Sequence, residues 1–385
     1  MTIEPDVEGE YVIQAACDNI TDTFRFIAGT VTLSEYGFTG NAKTTLISDD
    51  GTYGDESGDP VPVPEYQPGQ DPSPVCYVRD ASVTVEATFT ITPDLGADEF
   101  DFPVGGDATL MTQGTKFKFD DTIVLTGSSV THEFTLSPIL PDVVLNDTLQ
   151  LAWAVCELVV VNHAMYITYG TPSDGVATVT RMSRVTSACN NLDEESDIVE
   201  ALWEKVAGPA AYTLGAPMPS PIWKILDGIP GECIAIANLF VATMEMLGVT
   251  PGDGQVTYCY VDRGGMSHES NVQTDFTTRG CNAGQNGHDA QHGPTHANFN
   301  QQEKLVWVDS NNGINNWEAC YKYRADASQP YLWYAAGTGG DPPWPSVQAV
   351  MSAYARWTLW QYVDANWNPR GNCQDPGPYP EQNPY

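Results

Sequence analysis

A thiol, an imidazole and a carboxylate in this chain have the types and surroundings for acyl-transfer chemistry. Cys233 follows Pro230, Gly231 and Glu232 and sits at the head of the apolar run Glu232–Leu247. A helix over that run puts Cys233 in its first turn. Unpaired N–H groups and the helix dipole there favour an anion and lower a thiol pKa. Cys233, Ala237, Phe240, Met244 and Leu247 follow a 4-3-4-3 spacing and share one helical face. Cys233 therefore also reads as a small core residue under an apolar stripe, and the helix alone does not choose between the two readings.

The imidazole and carboxylate come from two short β-type runs, His296–Asn300 and Leu305–Asp309. A hairpin with the loop Gln301–Lys304 pairs Asn300 with Leu305, and the same register sets His296 opposite Asp309, about 5 Å apart at Cβ. Ala297 then faces Val308 and Phe299 faces Val306 on the other, apolar face, so both faces make sense at once. An aspartate opposite a histidine fixes the imidazole tautomer and stabilises the imidazolium. A purely structural hydrogen bond between the two is the plainer alternative.

Gly231-Glu232-Cys233, Ala237, Leu239-Phe240 and Leu247-Gly248, then His296-Ala297 and Val306-Trp307-Val308-Asp309, resemble the transglutaminase-like superfamily of papain-like thiol enzymes. The nucleophile helix, histidine strand and aspartate strand come in the family's order. The resemblance covers roughly residues 185–345. It implies Cys233 as nucleophile, His296 as general base and acid, and Asp309 as the residue that orients it. Two positions depart from the family's habit. Asn298 stands where an aromatic residue is common, and Ser310 where proline often follows the aspartate. Both bear on substrate preference more than on the triad.

The chemistry implied is thiolate attack on a protein or peptide amide, giving a thioester. The Cys233 N–H is one oxyanion donor, and Trp223 is the candidate for a second. Water as acceptor makes a peptidase or amidase, and an amine makes a cross-linking enzyme. No cofactor and no metal is required. Two alternatives stand beside this one. His288, His292 and His296, with Cys281 or His268, could bind a metal, although Gly293 and Pro294 interrupt any helix that would align them. The other is a catalytically inactive domain used for binding or surface assembly.

Positioning these residues falls to elements of two textures. Residues 1–180 read as an all-β sandwich region, Ig-like, of one or two domains. Tyr11–Ala16, Thr23–Ile27, Val83–Ile91, Thr115–Phe119 and Leu149–Tyr169 are rich in Val, Thr, Phe and Tyr, with Gly, Pro and Asp clusters between them. Val83, Val85, Ala87, Phe89 and Ile91 alternate with polar residues, as a half-buried strand requires. The six prolines of 51–75 predict a long loop. Residues 185–345 read as an α+β transglutaminase-like (cysteine-proteinase-like) domain. It has caps and first-turn acids at Asn191–Glu195 followed by a helical pattern through Ile198, Leu202, Trp203 and Val206, the helix Glu232–Leu247 stopped by Gly248, a strand Gln255–Val261 and a long loop from about 262 to 295. Residues 346–385 are expected to hold a C-terminal helix, Ser346–Asp364, and a Pro-rich tail from Asn368 that is extended or disordered.

Composition narrows the partners. Sixteen Lys+Arg against 50 Asp+Glu give 385 residues a formal charge of −34, which repels nucleic acid, anionic membranes and polyanionic substrates. No apolar stretch is long enough for membrane insertion. Such acidity fits a saline or external setting, although Met1–Asp6 shows no signal peptide. The N-terminal β region is expected to present the enzyme to a surface or polymer partner. Nine singly spaced cysteines suggest a loose disulfide framework with one left over, and Cys233 is the one expected to be free.

Overall fold

The computed structural model describes residues 9–17, 20–173, 176–210, 216–250, 254–261, 267–270, 304–308, 317–336, 342–347, 349–350, 359–363 and 369–373. They group into two compact units. The first comprises 1–49, 57–171 and 176–191; the second comprises 50–56, 172–175 and 192–385. Sheet dominates and helices are few. Among the described residues no helix is long and apolar enough to cross a membrane.

The first unit opens with the hairpin β1 (Gly9–Cys17) and β2 (Ile20–Ala28), and continues with β3 (Thr30–Thr39), β4 (Lys43–Thr44), β5 (Val75–Val78) and β6 (Thr84–Thr92). β7 (Phe100–Leu110), β8 (Lys116–Leu125), β9 (Ser129–Thr135), β10 (Leu145–Ala154), β11 (Leu158–Thr168) and the helix α1 (Val179–Ala188) complete it. One sheet has the order β4-β5-β11-β10-β7-β8, and a second has the order β3-β6-β9. Their inward residues form one core, from Leu33, Tyr36 and Phe38 through Phe89 and Phe134 to Leu149, Leu151 and Trp153. The alternation in β6 is the reason: Val85, Ala87 and Phe89 are fully buried while Glu86 and Thr90 are exposed. Trp153 is central, with the rings of Phe119, Phe134 and Tyr36 at 4.5, 5.4 and 5.4 Å. Leu149–Tyr169 is a strand pair, because the chain reverses between Ala154 and Leu158.

The helix α1 straddles the boundary expected between 180 and 185, where no helix was expected. Thr178 caps it, its side chain accepting the Arg181 N–H, and Met182 and Val185 bury one face.

In the second unit, α2 (Glu195–Leu202) runs into a wider π turn at Trp203–Ala207, and a 3-10 turn at Ile222–Ile225 precedes α3 (Cys233–Met246). The strands are β12 (Gln255–Val261), β13 (Ser267–Ser270), β14 (Lys304–Val308), β15 (Trp317–Tyr323), β16 (Leu332–Tyr334), β17 (Leu359–Val363) and β18 (Pro369–Cys373). They form sheets of order β13-β12-β15-β16 and β14-β17-β18.

Three expectations change here. The stretch 262–295, read as loop, contains β13, which pairs with β12. The helix expected over Ser346–Asp364 does not run through: residues 349–350 are helical, but Leu359–Val363 is a strand between β14 and β18. Its Leu-Trp-Gln-Tyr-Val composition of aromatic and β-branched residues suits a pleated surface, and two neighbouring strands supply its hydrogen bonds. Within the expected Pro-rich tail, Pro369–Cys373 is likewise a strand, paired with β17 and opening with proline, where a strand tolerates it.

Candidate functional site

α3 is the element around which the site is organised. Ala235, Ile236, Leu239, Phe240, Met244 and Met246 are all at most 2% exposed. Ile234, Asn238, Val241 and Glu245 are only partly buried and share one stripe, so the helix buries most of its circumference and leaves one edge toward solvent. Phe240 anchors it, with its ring 5.5 Å from Tyr321 on β15, 5.0 Å from Tyr334 on β16 and 5.1 Å from Trp203. The helix ends in a Schellman turn: Gly248, at φ +68, donates to the Glu245 carbonyl and Val249 donates to the Met244 carbonyl.

The entry to α3 depends on Gly231. A Cβ there would lie 2.7 Å from the Ala235 Cβ and 3.0 Å from the Ile225 Cδ1, so glycine lets the chain pass between helix and 3-10 turn. The Asp227 carboxylate ties the same connection to residues 50–56 by accepting the N–H groups of Tyr53 and Gly54 at 2.9 and 2.7 Å.

Cys233 is the first residue of α3, after the extended N-cap Glu232, and is 1% exposed. Its sulfur accepts the Ala319 N–H of β15 at 3.4 Å. The N–H of Ile234 also favours the thiolate. Against these donors stand burial, which is the largest influence, and the carboxylates of Glu318 and Glu232. Together they push the thiol pKa well above its ordinary value. The described surroundings therefore hold Cys233 as a neutral thiol, and activating it needs a cation beside the sulfur.

His296 and Asp309 lie outside the described residues. The strand expected at Leu305–Asp309 is present as β14, Lys304–Val308, ending one residue before Asp309. Its described partner is β17, with Trp307 opposite Trp360. The segment 296–300, expected as its hairpin partner, is outside the described residues, as are Asn298 and Ser310. Trp223 sits on the 3-10 turn that packs against α3 and is 1% exposed.

Among the residues of the metal alternative, His268 falls on β13, while Cys281, His288 and His292 lie outside the described residues. No cluster of three His, Cys, Asp or Glu able to hold a metal occurs among the described residues. One His–Asp contact not anticipated from sequence occurs in the sandwich unit, where His132 Nε2 is 2.8 Å from Asp121 Oδ2 on exposed strand surface. A cavity of about 420 Å³ in the second unit is lined by Trp203, Gly208, Pro209, Ala335 and Pro342, and is not lined by Cys233.

Cys233 is a free thiol as expected, but Cys76 and Cys156 are free thiols too, so being free does not single it out among the described residues. Cys76 and Cys189 are fully buried in packed core, where a thiol behaves as a small apolar residue. No protein-family model matches this chain, and no curated protein matches it.

Proposed function

We propose that the chain is a cysteine-dependent acyl-transfer protein of transglutaminase-like type, acting on protein or peptide amides through a thioester at Cys233. The observation that supports this best is the seat of the sulfur. Cys233 opens a largely buried helix, and its sulfur takes N–H groups from the helix start and from β15. The proposed sequence of steps is short. His296, oriented by Asp309, takes the thiol proton, and the thiolate attacks the amide carbonyl carbon. The helix-start N–H groups stabilise the oxyanion, with Trp223 the candidate second donor. The imidazolium then protonates the departing amine, and water or a second amine releases the acyl group from the thioester. The His296 imidazolium is also the cation that the surroundings of Cys233 demand, since burial and two carboxylates otherwise keep the proton on sulfur.

The same surroundings support a second reading, a silent domain used for binding or surface assembly, in which Cys233 is an inert core thiol. Iodoacetamide labelling separates the two. The acyl-transfer reading expects rapid modification of Cys233 near neutral pH, slowed by about 10²-fold or more in His296→Ala. Labelling only above the ordinary thiol range, unchanged in His296→Ala, is the result that would favour the silent domain.

A further inference from the structure

Two cysteines with no part in the acyl-transfer chemistry have their sulfurs in contact. Cys259 on β12 and Cys320 on β15 are both fully buried, with Sγ atoms 3.3 Å apart. The strand register explains the meeting. Cys259 pairs with Glu318 and Thr257 pairs with Cys320, so the two thiols are diagonal neighbours on one face of the sheet. That face is not the one carrying Cys233. Tyr321, adjacent to Cys320 in the strand, points to Phe240 of α3, so Cys320 points the other way. The diagonal is the longer of the cross-strand spacings, yet the side chains already span it. A shift of about 1 Å brings the sulfurs to the bonded distance of about 2.05 Å.

We infer that Cys259 and Cys320 form a structural disulfide joining β12 to β15 when the chain folds in an oxidising compartment. The oxidant is a low-molecular-weight disulfide such as glutathione disulfide. One cysteine thiolate attacks it, forming a mixed disulfide and releasing one glutathione. The second cysteine attacks the protein-side sulfur of that mixed disulfide and releases the other glutathione. The two protein sulfurs lose two electrons, glutathione disulfide gains them, and the two thiol protons end on the two glutathiones. Because both positions are fully buried, exchange takes place before the sheet closes, and the finished bond is shielded from reductant. The cysteines are 61 positions apart, and the segment between them contains His296 and Asp309. The bond therefore restricts the unfolded freedom of the stretch carrying both proposed partners of Cys233.

The test uses the full-length chain folded in a glutathione/glutathione disulfide buffer, denatured in excess iodoacetamide, digested and mapped by mass spectrometry. The expected result is a peptide pair joining Cys259 to Cys320, two hydrogens lighter than the separate peptides. Reductant should release it from the denatured chain and not from the native one. In Cys259→Ala, Cys320 should become alkylated. Alkylation of both cysteines in the oxidised wild type, or each joined to a different cysteine, overturns the inference. So does a Cys320 that stays blocked in Cys259→Ala. The wild-type map decides the matter even if the variant does not fold, and the result is independent of whether Cys233 reacts.

Discussion

His163 in the sandwich unit and Cys233 in the second unit are both buried, titratable and held in their neutral form, but their neighbours differ. His163 is fully buried between β10 and β5, in the middle strand β11. Its Nδ1 lies 2.8 Å from the Ser73 carbonyl and so donates. Its Nε2 therefore accepts from the Tyr36 hydroxyl at 2.7 Å. Both ring nitrogens are satisfied in one neutral tautomer, and the ring edge-packs against Phe38 at 5.1 Å. Cys233 is buried to the same degree, but its surroundings pull both ways. N–H groups point at the sulfur as though for an anion, while Glu318 and Glu232 oppose one. A side chain whose neighbours all serve one protonation state is structural. Conflicting influences at a helix start mark a group whose state another residue can tip.

Removing the His163 ring should have the largest effect on this contrast. His163→Ala strips two hydrogen-bond partners and leaves a cavity, and is expected to cost about 3 kcal/mol in guanidinium unfolding. The Cys233 labelling rate should stay at its wild-type value. A labelling rate that moves with His163 would show that the two groups do not belong to separate environments.

A smaller effect concerns pH. Burial, the largest influence, lowers the His163 pKa below its ordinary value of about 6.5. The unfolded chain then takes up the proton first as pH falls. This contribution to stability is complete above about pH 6.5 and is lost progressively as pH drops from there toward the folded-state pKa. Unfolding midpoints from pH 7.5 down to 5 should fall in the wild type and fall less steeply in His163→Leu. Equal slopes would mean that the ring is not held neutral by its site.

The smallest change sharpens the other half of the comparison. Glu318→Gln keeps the side-chain shape but removes a negative charge that acts on Cys233, so the thiol pKa should drop. Iodoacetamide labelling of Cys233 at a fixed, mildly alkaline pH should rise by about 2- to 10-fold, since one pKa unit is a factor of ten in thiolate. A rate that falls or does not move would remove Glu318 from the list of groups acting on the sulfur.

Legibility along the chain followed how far each element depends on distant partners. The alternation of Val83 to Ile91 was readable because a strand with one wet face repeats every two residues. The run ending at Gly248 was readable because apolar length, first-turn chemistry and a left-handed glycine all agree. The stretch Ser346–Asp364 misled because Trp, Tyr and Val there suit helix or strand alike, and the strands beside Leu359–Val363 decided it. α1 was missed because its cap and short apolar face follow immediately on a β-rich region. At the site, Cys233 could be picked from sequence as the head of a helix. Glu318 could not, because nothing local connects a glutamate in β15 with a cysteine 85 positions earlier.

The sequence alone determined the periodic elements, the acidic charge and the order in which a thiol, an imidazole and a carboxylate occur, because each is set by neighbouring residues. Only the tertiary structure decided that the six-stranded and three-stranded sheets of the first unit share one core, since either grouping of strands satisfies the same alternation. It alone put the Ala319 N–H on the Cys233 sulfur, a carboxylate in the same environment, and the Cys259 and Cys320 sulfurs in contact. Those outcomes depend on strand register and burial. Both are properties of packing between segments far apart in the chain, and no local pattern encodes them.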